Sequence, residues 1–160
     1  MERWRDPDYG SVVKRVNGIT IRPWGERDRQ AVQRLLRLLS ADAEVTASDA
    51  PAYVAEQGGV VVGMVTLCVY TTLTGTKAYL DHLVVAPDAR RRRVGRALVE
   101  YAIERARDAG ASRVDLTARA TKREAHALYR SLGFEQRETL LLRRLIAPEA
   151  KASAGDHRKA

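Results

Sequence analysis

The sequence predicts an α/β protein with a mixed, largely antiparallel central sheet that is flanked by helices. Two patterns carry this prediction. Three strand-like segments joined by short turns fill the middle of the chain, and helix, strand, helix and strand then alternate. A meander of strands is antiparallel, whereas helical crossovers pack against a sheet. A chain of 160 residues is long enough for one domain with a sizeable core.

The first elements are a short strand and an amphipathic helix. Residues 19–22 alternate apolar and polar side chains, and Pro23 ends the strand because it lacks a backbone donor. Residues 25–40 are predicted to hold a helix, since their apolar side chains recur with helical spacing. These side chains are Val32, Leu35, Leu36 and Leu39. Residues 40–51 are weakly patterned and hold at most one short helix.

Three strands are predicted next. Residues 52–56 and 60–70 form a hairpin across a glycine pair, and residues 77–85 add the third strand of the meander. Cys68, the single cysteine, excludes an internal disulfide and fits a reducing compartment. It stands in an apolar run, so we expect a core residue and not a nucleophile.

The second half of the chain alternates helices with strands. Residues 94–109 place their apolar side chains on one helical face, and residues 113–117 are predicted to form the next strand. A second helix is predicted to open at Thr121, with Glu124 completing a capping box. Residues 134–146 are predicted to form the last strand.

The chain is basic along most of its length, with a formal net charge of +8. Such a charge favours an anionic ligand: a phosphorylated cofactor, nucleic acid or an acidic protein surface. Basic residues do not interleave with aromatic ones, so nucleic acid is not the expected partner. No apolar run is long enough to predict a membrane span, and the N-terminus does not resemble a secretory signal. We therefore expect a cytoplasmic protein.

Residues 83–97, LVVAPDARRRRVGRA, join a buried strand to a helix start through four consecutive arginines. The first amides of a helix lack intrahelical partners, and the helix dipole disfavours cations there. Arginines at this end favour a bound anion, and Gly95 lets the backbone approach it. We therefore expect a pyrophosphate cradle, the alternative being a solvated arginine run.

Two motifs resemble the GNAT superfamily of N-acetyltransferases. Residues 92–97, RRVGRA, match its Gln/Arg-x-x-Gly-x-Gly/Ala signature, and residues 125–134, AHALYRSLGF, are similar to its A-x-x-x-Y-x-x-x-G-F segment. The two motifs stand in the order that the family requires. The resemblance covers roughly residues 18–146. It implies an N-acetyltransferase domain over residues 18–147, with residues 1–17 as an N-terminal arm and residues 148–160 as a flexible basic tail.

The resemblance implies transfer of an acetyl group from acetyl-CoA to a primary amine of a small molecule, by direct attack in a ternary complex. It implies a splayed pair of parallel strands that holds acetyl-CoA, with main-chain groups of Leu83, Val84 and Val85 pairing with the pantetheine arm. The turn that would hold the pyrophosphate comprises Arg90, Arg91, Arg92, Arg93, Val94, Gly95, Arg96 and Ala97. Lys122 replaces an asparagine of many members and could reach a phosphate. No metal is expected.

A free alkyl amine must lose a proton to attack, which costs roughly 4–5 kcal/mol at pH 7. Asp81 and His82 directly precede the cofactor-binding strand segment. Alternation puts Asp81 on the face of Leu83 and Val85, and a branch of the family carries an acid there. Asp81 is thus favoured as base or amine anchor, with His82 second. The alternative for both is a satisfied polar residue at a strand end.

Tyr129 matches the family's general acid, which protonates the departing thiolate, although a core aromatic would have the same spacing. The oxyanion donor is expected to be a main-chain N–H near Val85, presented by a strand bulge.

Several functions remain open at this point. A protein lysine or N-terminal amine is an alternative acceptor, because the short segment 40–51 would leave an open groove. A domain that senses acetyl-CoA without catalysis is another. A homodimer is possible, since a partner could complete that groove.

Overall fold

The computed structural model describes residues 12–46 and 51–146. Six strands form one sheet whose spatial order follows the chain. They are β1 (Lys14–Val16), β2 (Ile19–Pro23), β3 (Ala52–Gln57), β4 (Val60–Thr72), β5 (Gly75–Val85) and β6 (Val114–Leu116). Neighbouring strands pair antiparallel except β5 and β6, which pair in parallel. The predicted mixed, largely antiparallel sheet is confirmed.

Helices flank the sheet on both faces. They are α1 (Arg29–Arg37), α2 (Val94–Asp108) and α3 (Arg123–Ser131). The larger core lies between the sheet and α2, where Leu98, Val99 and Tyr101 are fully buried. The smaller core lies on the opposite face, where Val32 and Leu35 of α1 pack against Val84 and its neighbours. None of the described helices is long and apolar enough to cross a bilayer, and the cellular location stays a prediction.

The strand β1 was not predicted, because its three residues carry too little alternation to stand out. Asn17 and Gly18 adopt positive φ angles of 49° and 74°, which suits a two-residue hairpin turn into β2. The hydroxyl of Tyr101 donates to the carbonyl of Val12 at 2.6 Å, so this start of the described chain is tied to α2. Residues 1–11 of the predicted arm and the predicted tail at 148–160 lie outside the described residues.

The prediction of a last strand over residues 134–146 was wrong for this structure. The segment has no regular secondary structure, and its aliphatic side chains are exposed. A strand needs a hydrogen-bonded neighbour, and β-forming residues alone do not supply one. Three consecutive leucines also lack the alternation that would fix which face is buried.

One smaller prediction was also wrong. The N-cap of α3 is Lys122, one residue after Thr121, and no side chain caps this end, so the capping box does not form. Residues 41–46 hold no helix, which is consistent with the expectation of at most one short helix in residues 40–51, and residues 47–50 lie outside the described part. The predicted helix in 25–40 is shorter, because a single 3-10 turn, Glu26–Asp28, precedes α1.

Candidate active site

The parallel strands β5 and β6 separate partway along their length. Their ladder runs only from Ala78 opposite Val114 to Leu80 opposite Leu116. Beyond Leu80, β5 continues to Val85 and pairs only with β4 on its other side. The main chain of residues 82–85 therefore faces a gap on the β6 side, where an extended ligand could take the place of a strand.

A bulge interrupts β5 at the start of this gap. Met64 pairs with Val84 and Thr66 with Asp81, so Val65 lies opposite both His82 and Leu83. His82 has φ of 47°, a left-handed conformation. The bulge lies two to three residues before Val85, near the predicted position, and its role as oxyanion donor stays a prediction.

This bulge changes which residues of β5 share a face. Leu80 packs in the core beneath α2, and so do Leu83 and Val85, whereas Val84 packs in the core with α1. The alternation therefore shifts by one residue between Leu80 and Leu83. Asp81 lies on the face opposite Leu83 and Val85, so the prediction that all three residues share one face was wrong.

Asp81 and His82 form a small polar group with Thr66 on that face. The main-chain N–H of His82 donates to Oδ1 of Asp81 at 2.8 Å, and Nδ1 of His82 lies 3.5 Å from Oδ2. Thr66 Oγ1 also lies 3.5 Å from Nδ1. Both side chains are about half exposed. Asp81 thus closes the bulge with one oxygen and can offer the other to a ligand.

Cys68 lies on the same face of the sheet, two residues after Thr66 on β4. The prediction of a core residue was wrong, since Cys68 is exposed. Partial desolvation raises the pKa of its thiol, and the charge of Asp81 raises it further. A thiol held in its protonated form is a weak nucleophile.

The arginine turn, residues 90–93, leads from β5 into α2. Arg91 and Arg93 both have positive φ, 62° and 65°, and Arg93 is the N-cap of α2 without a side-chain cap. Successive N–H groups in such conformations form a concave nest that binds anions. The first-turn amides of α2 add further donors without intrahelical partners. This geometry fits a pyrophosphate.

The arginine side chains divide between the turn and its neighbours. Arg90 Nε donates to the carbonyl of Val85 at 3.3 Å, and Arg91 lies 3.6 Å from Glu124 at the start of α3. Within the described residues, Arg92 and Arg93 form no ion pair. The side chain of Arg96 points away from the arginine turn, toward α3.

Arg96 and Lys122 lie at the edges of this arrangement. The guanidinium of Arg96 donates to Glu100 at 3.1 Å and to Ser131 Oγ at 2.6 Å, so it links α2 to α3. Lys122 is exposed, two residues before the Glu124 that contacts the arginine turn. Its contact with a phosphate stays a prediction.

Gly95 is the point at which three parts of the site meet. A Cβ at this position would lie 3.4 Å from Leu128 of α3 and 3.6 Å from Val85 of β5. The end of the splayed strand, the start of α2 and the middle of α3 are therefore in contact. The residues present fit a CoA moiety, since strand edge, anion nest and cationic side chains follow one another without interruption.

Tyr129, the predicted acid, lies on α3 one residue after Leu128. It is half-buried, packs on the larger core, and meets Phe134 edge to face with ring centroids 5.6 Å apart. Burial raises the pKa of its hydroxyl, so the group stays protonated at neutral pH. A protonated phenol is able to donate a proton, and the role of Tyr129 as the acid stays a prediction.

Comparison with known proteins agrees with this arrangement. A sequence profile described as Acetyltransferase (GNAT) family matches residues 5–134. The chain belongs to the GNAT acetyltransferase family. The match spans the splayed strands, the arginine turn and α3, so the residues discussed above lie within the GNAT domain.

Relatives match parts of this GNAT chain. A stretch of 82 residues is 34% identical to the aminoalkylphosphonate N-acetyltransferase of Salmonella typhimurium, covering 50% of this chain and 53% of that protein. A stretch of 60 residues is 40% identical to the ribosomal protein bS18-alanine N-acetyltransferase of Escherichia coli K12, covering 38% and 40%. The chain thus spans about half the length, or less, of the curated relatives it matches.

A solved structure shares the GNAT fold. The aminoglycoside N-acetyltransferase AAC(6')-Iy in complex with CoA superimposes with a TM-score of 0.69 at 17% identity, over 85% of this chain and 100% of that one. At this identity the likeness concerns the fold alone.

Sequence reasoning missed three contributors to the site. Thr66 reaches His82 only across the strand pair, and Leu128 reaches Gly95 only through packing of α3 on α2. The left-handed conformations of Arg91 and Arg93 carry no signal in the sequence, because arginine is not a residue that favours them. The apolar spacing of α3 could have pointed to Leu128.

Proposed function

We propose that the chain is an N-acetyltransferase that moves the acetyl group of acetyl-CoA to a primary amine of a small molecule, by direct attack in a ternary complex. One observation carries the proposal: the gap between β5 and β6 leads directly into the anion nest of the arginine turn. A strand edge that pairs with a pantetheine arm and a nest that holds a pyrophosphate are what acetyl-CoA requires. Membership of the GNAT family supports an acetyl-CoA site at this position.

The residues that would hold acetyl-CoA follow from that geometry. Main-chain groups of residues 83–85 pair with the pantetheine arm, and the turn with the first amides of α2 binds the pyrophosphate. Arg92 and Arg93 offer guanidiniums that form no ion pair among the described residues. Lys122 adds a phosphate contact from the start of α3. Arg96 contributes less, because Glu100 and Ser131 hold it.

The acceptor amine must arrive uncharged at the acetyl carbonyl. In our proposal the carboxylate of Asp81 anchors or deprotonates the ammonium through the oxygen that faces solvent, and His82 is the second choice. The amine nitrogen forms a bond to the carbonyl carbon, the carbon–sulfur bond breaks, and the nitrogen loses the proton that finally restores the acid. Tyr129 gives its proton to the departing thiolate, and its raised pKa keeps that proton available at neutral pH.

The small-molecule acceptor is favoured by the match to the aminoalkylphosphonate N-acetyltransferase. A protein N-terminal amine is a second candidate, because the other relative acts on a ribosomal protein and residues 41–46 form no covering helix. Both acceptors use the same cofactor site, so they differ only in what the open face around Asp81 admits.

Thiol release from acetyl-CoA, measured over a panel of aminoalkylphosphonates, aliphatic amines and peptides with free N-termini, tests the proposal. We expect amine-dependent release with at least one small amine, and loss of release in Arg92→Glu. Arg34→Glu, which makes the same charge change on α1 across the sheet, should keep full activity. If acetyl-CoA binds but no amine causes thiol release, the proposal is wrong and a domain that senses acetyl-CoA is favoured.

A further inference from the structure

The bulge of β5 holds His82 in a conformation that its side chain disfavours. The residue has φ of 47°, and its main-chain N–H donates to Oδ1 of Asp81 at 2.8 Å. A residue with a Cβ adopts this left-handed region at a cost, which the surrounding contacts must offset. The imidazole is about half exposed, so a ligand on this face of the sheet can reach it.

The two nitrogens of the His82 ring have different surroundings. Nδ1 lies 3.5 Å from Oδ2 of Asp81 and 3.5 Å from Oγ1 of Thr66, which is opposite Asp81 on β4. Nε2 has no hydrogen-bond partner within residues 12–46 and 51–146. Because the two nitrogens of an imidazole point in nearly opposite directions, Nε2 faces away from Thr66.

These contacts decide which nitrogen carries the proton when the ring of His82 is neutral. A carboxylate oxygen accepts hydrogen bonds and donates none, so Oδ2 of Asp81 favours the proton on Nδ1. The hydroxyl of Thr66 can accept from the same N–H. The lone pair of the neutral ring then lies on Nε2, and this is the form that can take a proton from an amine there.

His126 on α3 has the opposite arrangement. Its Nε2 lies 2.9 Å from the main-chain carbonyl of Arg119. A carbonyl oxygen only accepts, so the proton of a neutral His126 belongs on Nε2. The two histidines of the described chain are therefore expected to be opposite tautomers, and His126 is an internal reference for His82.

We propose that His82 accepts the proton of the acceptor amine through Nε2, and that Asp81 and Thr66 are positioning residues that hold the required Nδ1–H tautomer. This inference rests on the proposed acetyl transfer. The ammonium, anchored at Asp81, passes one proton to Nε2 and becomes the neutral amine that attacks the acetyl carbon, and the proton lost after the attack restores Tyr129. The carboxylate of Asp81 stabilises the imidazolium without taking up the proton. Nε2 returns its proton to solvent when the product leaves.

Asp81→Asn should reverse the tautomer of His82. The main-chain N–H of His82 keeps the amide oxygen in the place of Oδ1, so the NH₂ group comes to lie beside Nδ1. An NH₂ group donates, which draws the lone pair to Nδ1 and puts the proton on Nε2. Thr66→Val should weaken the preference for Nδ1–H and lower kcat several-fold, and Thr66→Ser should restore both.

Two-bond proton–nitrogen correlation spectra of the imidazole rings show the tautomers directly, in the nitrogen-labelled full chain at a pH where the rings are neutral. We expect Nδ1–H for His82 and Nε2–H for His126, with the signals of His82 identified by their loss in His82→Gln. Asp81→Asn should convert His82 alone to Nε2–H. The control Thr71→Val, at the far end of β4, should change neither ring. A wild-type His82 in the Nε2–H form overturns the proposal.

Steady-state kinetics separate this inference from the proposed function. His82→Gln and Asp81→Asn should each lower kcat by about 10²-fold or more, with the KM for acetyl-CoA nearly unchanged. A His82→Gln enzyme with the wild-type kcat would show that His82 is not the proton acceptor and would leave acetyl transfer intact. If no amine causes thiol release from the wild type, the proposed function is wrong and the proton transfer to His82 is wrong with it.

Discussion

At the scale of single residues, the site concentrates backbone conformations that its side chains disfavour. His82, Arg91 and Arg93 hold positive φ angles of 47°, 62° and 65°. The left-handed region costs a residue with a Cβ roughly 1–2 kcal/mol. All three lie where the main chain must turn sharply, at the bulge of β5 and before α2. Strain gathered in this way is typical of functional sites.

Replacing Arg93 by glycine should stabilise the fold while weakening acetyl-CoA binding. Glycine adopts positive φ without steric cost and removes a cation from the start of a helix, which together are worth about 1 kcal/mol. Thermal unfolding should show a higher Tm for Arg93→Gly. Arg92→Gly is the matched control, because Arg92 does not have positive φ. A Tm for Arg93→Gly no higher than that of Arg92→Gly would contradict the strain argument.

Tyr129→Phe should lower kcat by about 10²-fold, within the ordinary range for loss of an acid, with the KM for acetyl-CoA nearly unchanged. The ring, its contact with Phe134 and its burial are retained, so only the proton donor is lost. Steady-state kinetics with the best amine of the panel measure both constants. Tyr70→Phe, on an exposed part of β4, should keep the wild-type rate. A full-rate Tyr129→Phe enzyme would show that the hydroxyl is not the acid.

At the scale of elements, the contact between α2 and the sheet sets the position of the arginine turn. Gly63 of β4 lies where a Cβ would come within 3.1 Å of Leu98, of Val94 and of the Val84 carbonyl. The helix therefore sits directly on the main chain of β4. That close approach fixes where α2 begins relative to the end of β5.

Gly63→Ala should destabilise the fold by about 1–3 kcal/mol, because a backbone carbonyl and two buried side chains must move. Gly95→Ala is its control, since the added Cβ meets only ordinary van der Waals contacts and alanine favours the helix. Denaturant unfolding should place Gly95→Ala at or above wild-type stability. Equal stability of the two variants would refute the close packing at Gly63.

A buried ion pair ties the start of α1 to the sheet. Arg22 donates to both oxygens of Asp28 at 2.7 and 2.8 Å, and Glu56 accepts from the same guanidinium at 3.0 Å. Asp28 is only 5% exposed and also accepts from the N–H of Gly25. The hydrogen bonds from Arg22 lower the pKa of Asp28, with a further contribution from the Gly25 amide.

Asp28→Asn should cost about 3 kcal/mol, the lower end for a broken buried pair, because Glu56 still balances Arg22. Since the folded pKa of Asp28 is lowered, its stabilisation is complete above the unfolded value near ~3.9 and is lost as pH falls through the folded value. Urea unfolding between neutral pH and about pH 3 should therefore show a steeper acid loss for wild type than for Asp28→Asn. If the unfolding free energies of the two proteins fall in parallel with pH, Asp28 does not contribute to the loss of stability in acid.

At the scale of the whole molecule, the excess of positive charge favours an anionic ligand, and the fold gathers part of that charge at one turn. Four arginines in sequence lie at the N-terminal end of α2, where the dipole also attracts anions. A ligand with several phosphate charges should therefore bind with a marked salt dependence.

Acetyl-CoA at 100 times its Kd should raise the unfolding free energy by about 2.7 kcal/mol. For a chain of this size each kcal/mol corresponds to roughly 2–4 °C in Tm. Thermal unfolding with and without acetyl-CoA should show the shift for wild type and Arg34→Glu but not for Arg92→Glu, and the shift should shrink at high salt. An unchanged Tm for wild type would mean that the arginine turn does not bind CoA.

The elements whose signals are local could be predicted from the sequence. Helical spacing of apolar residues predicted α1 and α2, and alternation between turn residues predicted the β3–β4–β5 meander. Two motifs in the right order indicated the family. The four consecutive arginines also indicated an anion-binding site, because four cations at a helix start need a counter-charge. These signals depend on residue type and spacing along the chain, which a sequence displays directly.

Features that depend on contacts between segments distant in sequence became clear only once the fold was known. The bulge at His82 moved Asp81 to the other face, and the register with β4 that creates it has no local signature. Cys68 proved exposed because, among the described residues, α1 packs against that face of β4 at Met64 and leaves Cys68 uncovered, and residues 134–146 remained unpaired because a strand forms only beside a partner edge. The pairing of strands and the covering of a sheet face by a helix depend on segments that are far apart in sequence, so the local residue pattern does not determine them.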